Sequence, residues 1–488
     1  LRNSDTKKLI MSLKLFLART FGLIKSTAKL EAAYDILLAD YKMYCEFEKS
    51  TELKEYNELD LLLKSPTFLQ HKHEIQRLVL KGSKEEAQKS EYSKLGKNSQ
   101  LQRFYQIQNS EDLKRFEKIS VSEELVSYKK LKELVHSPIF DSKKKKDEKT
   151  EEFAKNAQYH KLKNSDNIRF YERFAKSKDY QNYQKFKDSP ERRRYEELKK
   201  LIDSNEYKDR VAYLEDKHKW EKTEDHARET RFTELKKLPQ LVNYQKYNKS
   251  DAFGFFKKWD LVFEDKFKVG SLDHQKWMTQ SYWGHQALGR NYSQMGDLHA
   301  FTEGRNVSIE FNTLKIQVRK EPTRGMQWQI PLGFVERSFD YSSGIVSTAG
   351  IDWWKHGILE VKVKYAPSPY FADAIYLLGE EASPQINLVE MGAKNRVGLL
   401  SKVSSGVNAL CEDINGLKSG EYYIFRLEWT SHALTWKVNG RELYTINQDI
   451  PNIKMHLNIA SIVVAEPVNH LPHTFEIDWV RFYQHHKV

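Results

Sequence analysis

The chain has 488 residues, with 80 Lys and Arg against 68 Asp and Glu for a formal charge of +12. That is more chain than one ordinary core serves, and most of the charge is balanced along a solvated surface, which excludes a single small domain and a uniformly basic nucleic-acid arm. Two cysteines, Cys45 and Cys411, give neither a disulfide framework nor a cysteine-based zinc site and suit a reducing compartment.

Residues 1–10 precede Met11 and read as an upstream segment. The stretch after it, MSLKLFLARTFGLIK, is basic and apolar, but Lys14 and Arg19 interrupt it and no small-residue cleavage site comes after it, which argues against a signal peptide. A short helix at a membrane surface is the weaker expectation here. No run is long enough to span a bilayer, so a cytoplasmic location is expected. Within 11–48, Leu30, Ala33, Tyr34, Ile36, Leu37 and Tyr41 recur near helical spacing, predicting one or two helices that cap the neighbouring helical segment or dock a partner.

Residues 49–250 predict an all-α array of short helices. Aromatics fall every twelve residues at Tyr92, Phe104, Phe116, Tyr128 and Phe140, and the series returns 67 residues on at Tyr159, Tyr171, Tyr183, Tyr195 and Tyr207. Ser110, Ser122 and Ser137 map by the same shift onto Ser177, Ser189 and Ser204, so the segment is an internal duplication. Leu113, Phe116 and Ile119 recur every third position, a stripe that drifts roughly 60° per step around an α-helix and cannot stay buried on a long one. Serine supplies the breaks, before acidic pairs at Ser110 and Ser122 and before proline at Ser65, Ser137 and Ser189. The ladder is predicted to be packing between helices, on an array that would serve partner proteins or self-assembly. The run Lys143–Lys146 is followed by Asp147 and Glu148 and lacks interleaved aromatics, so it reads as a solvated loop and not a nucleic-acid site.

The composition changes near 250. Trp220 is the one Trp before that point, and Gly22, Gly82 and Gly96 are the only Gly, whereas 255–488 is rich in both. Short alternating segments such as TLKIQVRK, GILEVKVKY and YYIFRLEW predict half-buried antiparallel strands, and Asn439-Gly440 predicts a tight hairpin. The segments LVFEDKFKVGSLDHQKW, SSGIVSTAGIDWWKHGILEVKVKYAPSPYFADAIYLLG and HTFEIDWVRFYQ then resemble the family-16 glycoside hydrolases, the laminarinase and endoglucanase group, over residues 260–484. The resemblance implies a concanavalin-like jelly roll.

In that family the cleft strand carries Glu-x-Asp-x-x-Glu, a nucleophile, a helper and an acid/base. The resemblance places Gln385, Asn387 and Glu390 there, so the acid/base position alone keeps its carboxyl group. Positions one and three share a strand face, and position six joins them only if a bulge adds one residue. Retaining hydrolysis needs two carboxyl groups about 5 to 5.5 Å apart, and an amide cannot form the glycosyl ester. Asp373, Glu380 and Glu381 are the candidates for a replacement carboxylate, Asp373 first because it lies on the neighbouring strand. Aromatics that could stack on sugars are Trp353, Trp354, Tyr370, Phe371, Trp283 and Trp328; the adjacent Trp353 and Trp354 should point to opposite sides, so at most one faces a cleft. No residue spacing predicts a cofactor or a metal, and a structural calcium stays open.

Three functions are expected. The first is a catalytically inactive, hydrolase-like protein with a scaffolding or assembly role through its helices. The second is carbohydrate binding in the jelly-roll groove, with a polysaccharide ligand. The third is a β-glucan-type glycosidase with relocated catalytic groups.

Overall fold

The structure is a computed structural model that describes residues 24–138, 140, 150–403 and 406–486. The expectations for residues 1–23 and for Lys143–Lys146 lie outside the described residues. The chain forms two compact units, Thr51–Leu238 and a second that joins the residues up to Ser50 to Pro239–Val488.

In chain order the helices are α1 (Thr27–Glu48), α2 (Thr51–Leu63), α3 (Pro66–Arg77), α4 (Lys84–Gly96), α5 (Ser99–Gln108), α6 (Glu111–Ser120), α7 (Glu123–Val135), α8 (Glu151–Lys163), α9 (Asp166–Ala175), α10 (Lys178–Lys187), α11 (Pro190–Asp203), α12 (Asn205–Glu215), α13 (Glu224–Lys236) and α14 (Pro239–Tyr247). One serine hydroxyl both ends a helix and starts the next. Ser110 Oγ donates to the Ile107 carbonyl at 2.7 Å and accepts from the Leu113 N–H at 3.2 Å. Ser122, Ser177 and Ser204 repeat this pattern. Each such cap is worth about 1 kcal/mol, and together they fix the helix lengths.

The aromatic ladder is the core of the unit Thr51–Leu238, and its rungs run in reverse order. Tyr92 stacks on Tyr195, Phe104 on Tyr183, Phe116 on Tyr171 and Tyr128 on Tyr159, with ring planes 10°, 9°, 4° and 7° apart. A step of twelve forward in one column is thus a step of twelve back in the other, and α4 to α7 form a hairpin of helices with α8 to α11. Tyr56 on Phe232 adds a further rung between α2 and α13. The residues just before the rings also pair across the columns: Glu91 with Arg194 and Glu55 with Arg231 as two-pronged ion pairs, and Arg115 over the Phe170 ring.

The second unit continues with α15 (Gly254–Lys258) and α16 (Tyr282–Leu288) and the strands β1 (Trp259–Asp265), β2 (Tyr292–Ser293), β3 (His299–Phe301), β4 (Val307–Glu310), β5 (Thr313–Gln329), β6 (Gly333–Ser343), β7 (Ile345–Ser347), β8 (Gly357–Tyr365), β9 (Phe371–Leu378), β10 (Gln385–Met391), β11 (Arg396–Val403), β12 (Gly406–Asp413), β13 (Glu421–Trp429), β14 (Leu434–Val438), β15 (Arg441–Ile446), β16 (His456–Val463) and β17 (His473–His485). They make a sandwich. One sheet runs β15-β14-β13-β8-β17-β5-β6-β3 and the other β12-β11-β10-β9-β16-β7. Pairing is antiparallel except for β2 with β5 and β3 with β6, which are parallel. The core between the sheets includes Val361, Ile375, Leu377, Ile386, Leu427, Leu457 and Ile477, each fully buried.

Helix α1 belongs to this unit. Its Glu31 accepts from the Trp479 indole at 2.8 Å and from Lys362, its Tyr34 hydroxyl meets that of Tyr483, and Thr27 Oγ1 donates to the Tyr422 carbonyl at 2.6 Å. It therefore covers the outer face of the sheet through β8, β13 and β17.

Candidate functional site

Strand β10 carries the three positions that the resemblance singled out, and a bulge brings them to one face. Asn387 is opposite Tyr376 on β9, yet Val389 is opposite Ile375, so Leu388 is the extra residue. Against β11 the register likewise slips between Asn387 and Glu390. Partners across an antiparallel ladder share a face, which gives three rows over the sheet: Leu400-Gln385-Leu378-His456, Gly398-Asn387-Tyr376-Asn458 and Arg396-Glu390-Ala374-Ala460. From the other sheet the Trp436 indole donates to the Asn387 carbonyl at 2.8 Å and steadies the bulge. Gly398, beside Asn387, has φ +152, and a Cβ there would sit 2.4 Å from the Leu410 carbonyl oxygen, so only glycine lets β12 come this close.

Across that face the polar side chains satisfy one another. Gln385 Nε2 donates to Asn387 Oδ1 at 2.6 Å, and Asn387 Nδ2 donates to Glu390 Oε2 at 3.1 Å. Arg396 then grips the same carboxylate with Nε on Oε1 and a terminal nitrogen on Oε2, both at 3.0 Å. Asn387 is fully buried. Burial works against the charge of Arg396, but its hydrogen bond and charge pairing with Glu390 outweigh this and raise its pKa. A bidentate pair of this kind is strong and geometrically rigid.

The other predicted residues are dispersed. Asp373 is on β9 as expected, but it lies opposite Met391 and so faces away from Glu390. It is buried, accepts from Ser461 Oγ at 2.6 Å and lies 2.8 Å from His473 Nε2. It is therefore tied to β16 and β17 on the face of β9 away from Glu390. Phe371 is buried face to face with His473, and Trp354 is buried against Phe482 and Phe263, so neither is open to a sugar. Trp353 and Trp354 lie in a loop whose Trp354 bridges to Met455, not on a strand. Tyr370 stacks on His470, Trp328 meets Phe334 near the end of the β5-β6 hairpin, and Trp283 follows Tyr282 on α16.

Trp353, Glu380 and Glu381 do come together. With Tyr282, Ser383, Pro384, Ile453 and Lys454 they line a groove of about 670 Å³. It opens at the Pro384 end of β10, beside the amides, and Glu390 is not part of its lining. Tyr282 donates to Glu380 Oε1 at 3.3 Å. His456 lies against both groove aromatics, with ring centroids 4.5 Å from Trp353 and 5.6 Å from Tyr282. It is fully buried, neither ring nitrogen has a hydrogen-bond partner, and burial lowers its pKa to about 4.

Arg396, Tyr282 and His456 were missed in the sequence. The signal for Arg396 was its place just after the turn MGAKN, which folds β11 back along β10. Asp297 was missed as well; burial pushes its carboxyl up to about 6. Among the described residues no group of three or more His, Cys, Asp or Glu side chains could hold a metal ion.

Solved structures similar to this chain include the laminarinase catalytic domain of Thermotoga maritima, at 20% identity and a TM-score of 0.39, covering 47% of this chain and 99% of that one. They also include the endo-β-1,3-glucanase of Pyrococcus furiosus, at 18% identity and a TM-score of 0.39 over 48% and 97% of the two chains, and the laminarinase of Rhodothermus marinus, at 18% identity and a TM-score of 0.38 over 47% and 98%. At these values the likeness by itself assigns no activity. No family model and no curated protein matches the chain.

Proposed function

We propose that the protein is a non-hydrolysing relative of the family-16 fold that serves as a scaffold, with its helical array as the assembly element. The observation that carries this reading is the state of Glu390: both oxygens are engaged by Arg396, and the positions that would supply a nucleophile and its helper are the amides Gln385 and Asn387. An amide gives no glycosyl ester, and a carboxylate gripped on both oxygens by an arginine is committed to that pair and not to a leaving oxygen. The array supports the scaffold part because the rings of its ladder are consumed by its own rungs, leaving a charged surface. No described helix is long and apolar enough to cross a membrane. One experiment tests both parts: untagged protein is sized from its native source and each fraction is assayed on laminarin. A large particle that releases no reducing sugar is expected; a monomer removes the assembly part, and sugar release that tracks the protein removes the rest.

A second reading, glycan binding without chemistry, is favoured by one feature. The groove beside Pro384 combines the rings of Trp353 and Tyr282 with the polar side chains of Glu380, Glu381, Ser383 and Lys454, as a sugar site combines a stacking wall with polar groups.

A further inference from the structure

We propose that the Trp353 groove selects glycans whose sugars carry free amino groups, a proposal that rests on the second reading above. The lining sets two carboxylates, Glu380 and Glu381, against one ammonium, Lys454, around a cavity of about 670 Å³. Both carboxylates are exposed at the rim, and Glu380 is oriented by the Tyr282 hydroxyl at 3.3 Å. A pyranose stacked on Trp353 would bring its substituents to that rim, where an ammonium gains charge-assisted hydrogen bonds and a sulfate or uronate is repelled. Behind the rings, His456 is buried outside the lining, and burial keeps it uncharged near neutrality, so it does not oppose a cation in the groove. The amides have the same effect further along β10: with Gln385 and Asn387 neutral and Glu390 paired to Arg396, the acidic charge of this face that is free to meet a ligand lies at Glu380 and Glu381. The whole chain carries +12 and would repel a cationic polymer in general, so such binding would report a local site.

The test is calorimetry on the full chain with three hexasaccharides: glucosamine, N-acetylglucosamine and laminari-oligosaccharide. The glucosamine hexamer should bind about tenfold tighter than either neutral one, and Glu380→Gln with Glu381→Gln should bring it down to their level without weakening them. These substitutions lie at an exposed rim, so the fold is retained. A preference for the neutral sugars, or one for glucosamine that survives the double substitution, overturns this inference and leaves glycan binding standing. Failure of all three to bind overturns both.

Discussion

Each oxygen of the Glu390 carboxylate lies 3.0 Å from a nitrogen of Arg396, and a third contact comes from Asn387 at 3.1 Å. On the proposed reading the cleft lacks a nucleophile, because Gln385 and Asn387 are amides, and its remaining carboxylate, Glu390, is engaged by Arg396. Restoring the carboxylates alone should therefore fail. Gln385→Glu with Asn387→Asp is expected to release no more reducing sugar than the parent, whereas adding Arg396→Leu, which frees the acid, should raise the rate by about 10²-fold, the lower end of what general acid catalysis supplies. Activity in the double variant equal to that of the triple would show that the arginine matters little. The three positions came from the resemblance, and strand alternation with one bulge suffices to align them. Arg396 was not legible, because an i,i+6 contact across a hairpin depends on a register that the turn alone sets. Asp373 was misjudged for the related reason that a single-residue offset between β9 and β10 sends it to the opposite face.

At the scale of elements the spacing of twelve told how long each helix is, and the serines told where it ends. The offset of 67 did not tell which rings meet. A translated repeat could stack each copy on the next, and only the fold-back between α7 and α8 makes Tyr92 a partner of Tyr195. The same spacing reaches back through Phe68 and Tyr56 to Tyr44, and those rings too have partners, Trp220, Phe232 and Tyr244, the last pair within the strand-rich unit. The twelve-residue spacing of that continuation is broken at Leu80, while the stretch Ser50–Phe68, which parallels Ser122–Phe140, already marks it in the sequence as an earlier, partial copy. The rungs also make the unit sensitive to alkali. The hydrogen bond with Tyr195, and then burial, push the Tyr92 hydroxyl up to about 12 from an ordinary 10.0. A raised folded-state pKa means that this contribution is fully present below the unfolded value and is lost as pH rises from 10 towards 12. Thermal unfolding monitored by helix signal should show falling stability over that window, and Tyr92→Phe should flatten the fall; an unchanged pH profile in the variant would contradict the rung as described.

For the whole molecule, sequence composition separated helices from strands near residue 250, but it could not attach α1 to the sandwich. Thr27 bonds to Tyr422 and Glu31 to Trp479 across nearly the full length of the chain, and no local pattern encodes such a contact. The jelly roll itself was legible in its alternating strands, and its topology came from the resemblance and not from periodicity. The intact chain is the right object for the decisive measurement, because none of its carboxylates, wherever it lies, should serve as a nucleophile. Incubation with an activated 2-deoxy-2-fluoroglucoside and then intact mass spectrometry reads that directly. The mass is expected to stay that of the unmodified protein; a stoichiometric gain of one fluoroglycosyl group on any side chain would contradict the loss of catalysis proposed for this cleft.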